Sequence, residues 1–188
     1  MEKFCFMNTQ IEGLKLIQPF YSDDNRGYFT KCFERDLFLE NGIDLNVYEE
    51  LRSFSSKGVV RGLHFQREHS QDKLIQVLNG SAYDVVVDLR CNSQTFGKWQ
   101  GFYLSSENRN MLYIPKGFAH GFLSLEDNTL FNYLCGEKYY PEYDGGIVWN
   151  DDTLNIEWPF EKVERVIVSE KDLKLQSFKE FKDNYKFL

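Results

Sequence analysis

The sequence lacks most of the staples and anchors that a chain of 188 residues can use. Its four cysteines, Cys5, Cys32, Cys91 and Cys135, are dispersed, with no C-x-x-C pair and no zinc-like spacing. That excludes a disulfide framework or a structural zinc as the organising principle. No window approaches the roughly 20 apolar residues of a membrane-spanning helix. The N-terminus, Met1-Glu2-Lys3-Phe4-Cys5-Phe6, has no basic stretch followed by a long apolar one, so it does not read as a secretory signal. Reduced thiols in the cytoplasm are the expectation. Basic residues are not in excess: 22 Lys and Arg face 29 Asp and Glu, for a formal charge of −7. The cations are scattered among the acids, which counts against nucleic acid as a partner. A small anionic ligand stays open, because a few local cations can outweigh the net charge. Prolines number only four, and there is no Gly/Ser-rich linker, repeat or low-complexity tract. One domain spanning residues 1–188 is expected.

Aromatic residues are abundant: 17 Phe, 11 Tyr and 3 Trp, within an apolar share of 42%. Such a composition argues against disorder, and a chain of this length buries roughly 70% of its unfolded surface without a metal or disulfide. Aromatics beyond the needs of a core would suit a pocket that stacks on flat rings.

The middle of the chain reads as short strands separated by polar turns. Gly80–Arg90 is a β-branched run behind an Asn79-Gly80 turn signal, with Lys73–Leu78 expected as its hairpin partner. Trp99–Leu104 and Met111–Ile114 follow, and Gly121–Leu125 is expected to pair with Thr129–Cys135 across Glu126-Asp127-Asn128. Strands every 8–12 residues point to an all-β sandwich or barrel. Glu34–Glu40, closed by Asn41-Gly42, predicts a short helix with a glycine after its end. Leu173, Leu175, Phe178, Phe181 and Tyr185 give the tail a partly helical pattern suited to packing on the barrel's outside.

Only three histidines exist, so each can be weighed. His69 lies in a polar loop and reads as solvated. His64 lies with Arg61 in a strand-like run, and His120 in a Pro/Gly-shaped turn entering a strand. Neither spacing gathers the imidazoles and carboxylates of a closed metal site, so acid–base chemistry is favoured, histidine being the side chain that exchanges a proton near neutral pH. Tyr133 can donate from another strand but defaults to packing. Lys73 defaults to an edge charge, and Asp84 and Asp88 to turn-end carboxylates or histidine partners. The residues by themselves specify an acid–base enzyme or an anion-binding β module.

Seven stretches, in order from about residue 10 to 175, resemble the nucleotide-sugar 3,5-epimerases typified by dTDP-4-dehydrorhamnose 3,5-epimerase. They are Arg26-Gly-Tyr-Phe29, Lys57-Gly-Val-Val-Arg-Gly-Leu-His-Phe-Gln66, Asp88-Leu-Arg90 with Thr95-Phe-Gly-Lys-Trp99, Ile114-Pro-Lys-Gly-Phe-Ala-His-Gly-Phe122, Tyr139-Tyr-Pro-Glu142, Ile156-Glu-Trp-Pro159 and Ser169-Glu-Lys-Asp172. The resemblance implies an all-β jelly-roll barrel of the cupin type with short peripheral helices. It also implies a homodimer, no metal and no redox cofactor. The substrate it implies is a nucleoside-diphosphate 4-keto-6-deoxy hexose, inverted at C3 and C5. By the same resemblance His64 is the general base, Asp172 holds its ring, Lys73 stabilises the enolate and Tyr133 returns a proton from the opposite face. Arg61 and His120 become substrate contacts, Arg26, Arg61 and Lys171 suit the diphosphate, and Tyr139 stacks on the base. The loop between His64 and Lys73 is one residue shorter than the family's usual one.

Departures cluster at positions that contact the nucleotide in the family. Lys31 stands where the family has Glu, Glu49-Glu50-Leu51 where it has Gln-x-Asn, and Asp144 where it has Glu. Left uncompensated, such changes would leave polar groups unpaired at about 1–3 kcal/mol each. They predict kept chemistry with diverged base or sugar recognition; thymidine remains first, and a carboxylate at Glu49 could accept from guanine. Alternatives are a C3-only or C5-only epimerase on a GDP or CDP sugar, a 3,4-ketoisomerase, or a non-catalytic sugar-nucleotide-binding module.

Overall fold

Alternating side chains along the middle of the chain form strands whose two faces bury different partners. The structure, a computed structural model, describes residues 3–184; Tyr185 of the tail pattern lies outside the described residues. In chain order the strands are β1 (Cys5–Asn8), β2 (Lys15–Gln18), β3 (Phe20–Asp24), β4 (Gly27–Lys31), β5 (Glu49–Ser55), β6 (Val59–Gln66), β7 (Lys73–Asn79), β8 (Ser81–Asp88), β9 (Trp99–Ser105), β10 (Met111–Ile114), β11 (Phe118–Ser124), β12 (Thr129–Cys135), β13 (Asp144–Gly146) and β14 (Ile167–Val168). The helices are α1 (Arg35–Glu40) and α2 (Phe178–Asn184). A first sheet runs β1-β2-β10-β7-β12-β5 and a second runs β13-β6-β11-β8-β9, with β14 beside β6. The two sheets face each other as a jelly-roll barrel, while β3 and β4 form a separate hairpin.

Strand alternation sorts the core into three layers. Ile75, Val77, Ala82, Val86, Phe122 and Phe131 meet inside the barrel. The opposite faces of the same strands pack outward. Val85, Val87, Leu63 and Phe65 lie under the C-terminal segment with Trp158, Phe178 and Phe181. Leu74, Met111 and Tyr113 lie under Phe38, Ile43 and Leu45 of the α1 region. Phe178 and Phe181 of the tail therefore pack outside the barrel as the pattern predicts, whereas Leu173 is exposed; α1 ends at Asn41 with Gly42 at φ +77°, a left-handed stop that glycine adopts freely.

Two expected pairings do not form. β7 pairs with β10 and β12, and β8 with β9 and β11; β11 likewise pairs with β6 and β8, not with β12. The turns at Asn79-Gly80 and after Ser124 reverse the chain but carry it from one sheet to the other. Successive strands then meet face to face across the interior instead of edge to edge. A turn signal reports reversal; which of the two contacts results depends on where the apolar faces lie.

Candidate active site

His64 and Arg61 sit three residues apart on β6, and in a regular strand they would point to opposite faces. They line one cavity because β6 carries a bulge. Across to β11, His120 lies opposite His64 and Phe122 opposite Arg61, so β6 spends one extra residue in this interval. Gly62 makes the bulge possible. Its φ is +109°, and a Cβ there would come within 2.7 Å of Gly121 Cα and of the His120 carbonyl oxygen.

The cavity, about 370 Å³, is also lined by Lys73, His120, Tyr133, Tyr139 and Asp144. Its two walls differ in origin. Arg61, His64 and His120 come from the second sheet, Lys73 and Tyr133 from the first. The sequence-predicted residues Arg61, His64, Lys73, His120, Tyr133, Tyr139 and Asp144 are thus brought together.

Asp172 stands behind His64. β14 runs parallel to β6, and the 3-10 turn Asp172–Lys174 then carries the carboxylate onto the ring. His64 Nε2 lies 2.9 Å from Asp172 Oδ1, and the Gly62 N–H donates to Asp172 Oδ2 at 3.2 Å. A carboxylate only accepts, so it holds the proton on Nε2 and leaves Nδ1 as the basic nitrogen. Burial pushes the Asp172 carboxyl up, but the bonds from His64, Gly62 and Ser169 outweigh it and hold the group below its ordinary value. The tail is pinned to keep this geometry: Asp151 Oδ2 accepts the Phe178 N–H at 2.8 Å, and Val148 donates to the Gln176 carbonyl at 2.9 Å.

On the facing wall, the hydroxyls of Tyr133 and Ser53 are 3.2 Å apart. Burial raises the Tyr133 phenol well above its ordinary value, so it is protonated at neutral pH and can donate. Lys73 is driven the other way: burial lowers its ammonium, opposed by the neighbouring groups Cys135, Asp144 and Asp84. Arg61 donates to Ser55 Oγ and to the Phe54 carbonyl, each at 3.2 Å. His120 Nε2 lies 2.6 Å from Asp84 Oδ2, making a second histidine–carboxylate pair that is buried. Asp88, by contrast, is occupied by Arg90, Ser93 and Thr95 away from the cavity.

The departing positions find partners within the chain. Glu49 Oε2 accepts the Tyr139 backbone N–H at 3.1 Å, and Lys31 pairs with Glu34 at 2.8 Å on the surface. Asp144 pairs with Lys171 at the cavity's rim, which raises the Lys171 ammonium. Lys31 and Arg26 are not among the residues lining this cavity. Arg26 lies on the β3–β4 hairpin, paired with Asp24 and 85% exposed. His69 is exposed, as its loop position predicts, and its ring lies on Tyr140 with centroids 4.5 Å apart. Reading from sequence also missed Ser53, Ser55 and Gln66. The first two share the inward face of β5 with Glu49 and Leu51, a period of two that could have found them. Gln66 secures the loop before Tyr140 by accepting its N–H at 2.6 Å. Among the described residues, no three His, Cys, Asp or Glu side chains gather as metal ligands, and no helix is long and apolar enough to cross a membrane.

The arrangement can remove a proton from one side of a ring, hold negative charge on an oxygen, and deliver a proton from the other side. Comparison with known proteins places the chain in a family. The sequence profile described as dTDP-4-dehydrorhamnose 3,5-epimerase matches residues 8–180. A dTDP-4-dehydrorhamnose 3,5-epimerase from Methanothermobacter thermautotrophicus is 47% identical over 188 residues, covering 100% of both chains. Its counterpart from Escherichia coli K12 is 44% identical over 171 residues, 90% of this chain and 91% of that one. Among solved structures, the dTDP-6-deoxy-D-glucose-3,5-epimerase of Legionella pneumophila, in complex with dTDP-4-keto-L-rhamnose, superposes with a TM-score of 0.93. It is 39% identical and covers 99% of this chain and 100% of that one.

Proposed function

The chain belongs to the dTDP-4-dehydrorhamnose 3,5-epimerase family, and on that premise we propose how its own residues invert C3 and C5 of a dTDP-linked 4-keto-6-deoxy hexose. The observation that carries the reading is the placement of His64 and Tyr133 on opposite walls of one cavity, with Lys73 beside Tyr133's strand. Hydrogens next to the 4-keto group are acidic only when the enolate oxygen is stabilised. His64 Nδ1 takes the proton, while Asp172 fixes the ring and stabilises the imidazolium. The electron pair moves onto O4, where the Lys73 ammonium supports it, a contribution of about 3 kcal/mol in a dry site. Tyr133 then donates to the carbon from the opposite face, and that choice of face is the inversion. The same sequence serves the second carbon, since C3 and C5 flank the same carbonyl, once His64 has released its proton to solvent and the Tyr133 phenolate has regained one from it.

Arg61 and His120 contact the sugar and diphosphate, with Arg61's forked donors suited to phosphate. Lys171 and Asp144 frame the rim where Tyr139 stacks on the base. The nucleotide is thymidine diphosphate, supported by the names of the full-length relatives. The partnering of Glu49, Lys31 and Asp144 within the chain removes the need for a guanine or cytosine to satisfy them.

The working unit is a homodimer. Arg26 belongs to a hairpin whose tip carries Tyr28 at 67% and Phe29 at 62% exposure, an apolar pair that a second copy would cover. In such a dimer Arg26 serves the partner's cavity. The enzyme works in the cytoplasm, a reading that fits four cysteines forming no disulfide among themselves. His64→Ala tests the chemistry directly: product formation from dTDP-4-keto-6-deoxyglucose should fall by about three orders of magnitude or more. Retained turnover would remove His64 as the base.

A further inference from the structure

Asp84 is a buried carboxylate that no step above uses, and its surroundings differ from those of a structural one. Asp88, two residues along β8, receives donors from the Arg90 guanidinium and backbone and from the hydroxyls of Ser93 and Thr95. Together these hold its carboxyl low against burial. Asp84 is as fully buried, yet only Oδ2 is engaged, by His120, and Oδ1 has no hydrogen-bond partner among the described residues. A carboxylate left half-satisfied in an apolar interior is costly, and its uncommitted charge acts on whatever lies near. Lys73 lies two residues from Ile75 on β7 and Asp84 two residues from Val86 on β8, so both share the strand faces that fill the barrel interior, from opposite sheets, and the two groups feel one another's charge.

We propose that Asp84 is a positioning residue of this site: its carboxylate keeps Lys73 protonated across the barrel and fixes the His120 ring through Nε2. The inference rests on Lys73 as the cation for the enolate. A neutral amine could not balance charge on O4, and burial favours the neutral form. The other groups acting on Lys73 are Cys135 of β12 and Asp144 of β13. The Cys135 thiol is itself pushed up by burial and is protonated at neutral pH, and Asp144 already shares its charge with Lys171. Tyr133 is a neutral phenol, and His64 is paired to Asp172. Among the described residues that act on Lys73, Asp84 is the remaining acidic group. The dependence is mutual, because burial pushes the Asp84 carboxyl up while His120 and Lys73 pull it back toward the ionised form.

The test uses the full-length enzyme and Asp84→Asn, which keeps the shape and removes the charge. Lys73 should then lose its proton at lower pH, so the alkaline limb of the kcat profile should move down by about one unit, a tenfold change in the ionisation constant. Activity above the native alkaline limb should fall by up to about tenfold, with recovery on acidification. A loss of activity uniform across pH, or an unmoved alkaline limb, overturns the proposal, since a merely structural carboxylate would give that result. A second arm needs neither turnover nor a folded Asp84→Asn. In Lys73→Met, carbon-13 NMR of the Asp84 carboxyl should show its titration midpoint raised relative to the native enzyme. An unchanged midpoint overturns the coupling. A raised midpoint with no role for Lys73 in turnover would instead locate the failure in the enolate reading.

Discussion

Replacing Gly62 by alanine tests the link between backbone geometry and chemistry more sharply than replacing any catalytic side chain. At φ +109° an L-residue is strained by about 1–3 kcal/mol. The new Cβ would also sit 2.7 Å from Gly121 Cα and 2.7 Å from the His120 carbonyl oxygen, both backbone atoms of β11. Backbone held by a ladder on each side has little room to yield, so the clash adds about 1–3 kcal/mol of overpacking. A combined cost of about 4 kcal/mol lowers the melting temperature by about 8–16 °C in a domain of this size. Relief of the clash must separate β6 from β11 at the bulge that turns Arg61 and His64 into one cavity. A displacement of about 1 Å there costs about a hundredfold in turnover. Thermal unfolding by circular dichroism and product formation by NMR read the two effects on the same sample. Gly42→Ala is the control: φ is +77° but nothing lies within 4 Å, so it should lower the melting temperature modestly and leave turnover alone. A Gly62→Ala enzyme that melts within 2 °C of the native one and keeps more than half its activity would show that the bulge does not depend on glycine.

The same geometry makes two further predictions. Asp88→Ala strips one carboxylate from Arg90, Ser93 and Thr95 and should cost about 3 kcal/mol at neutral pH. Because the folded-state pKa of Asp88 is depressed, its contribution is present above the unfolded value near 4 and is lost as pH falls through the folded one. The gap in melting temperature between native and variant should therefore close below about pH 4; a gap constant from pH 7 to pH 3 would contradict the assignment. If Arg26 serves the partner's cavity, mixing inactive Arg26→Ala and His64→Ala chains should restore about one quarter of native activity, since half the dimers then hold one intact site. No recovery on mixing would place Arg26 in its own chain's chemistry or outside it.

How much of this was legible in the sequence depends on the range of the interaction. Helix α1 and its stop were local: an apolar stripe ended by Asn41-Gly42. The outward packing of Phe178 and Phe181 followed from periodicity. Strand partners did not, because Asn79-Gly80 marks a reversal whether the strands then pair within a sheet or face each other between sheets. The site divided in the same way. His64, Arg61 and Lys73 could be singled out by type and setting, but the convergence of Arg61 and His64 needed a bulge that an i, i+3 spacing conceals. Asp172, more than a hundred residues from His64, was reachable through family resemblance alone. Asp84 was visible as a possible histidine partner, whereas its unpartnered Oδ1 could only be seen in three dimensions. The departures at Lys31, Glu49 and Asp144 suggested a different base because their partners Glu34, the Tyr139 N–H and Lys171 could not be matched to them without the fold.

Proton transfer between His64 on one face of the sugar and Tyr133 on the other is followed most directly with deuterium. The native enzyme and Tyr133→Phe are each incubated with dTDP-4-keto-6-deoxyglucose in D2O and read by NMR. The native enzyme should place deuterium at both C3 and C5 of an inverted product. Tyr133→Phe should still exchange the first hydrogen through His64 while failing to invert. Full inversion by Tyr133→Phe, or product from the native enzyme that carries no solvent deuterium, would contradict this transfer.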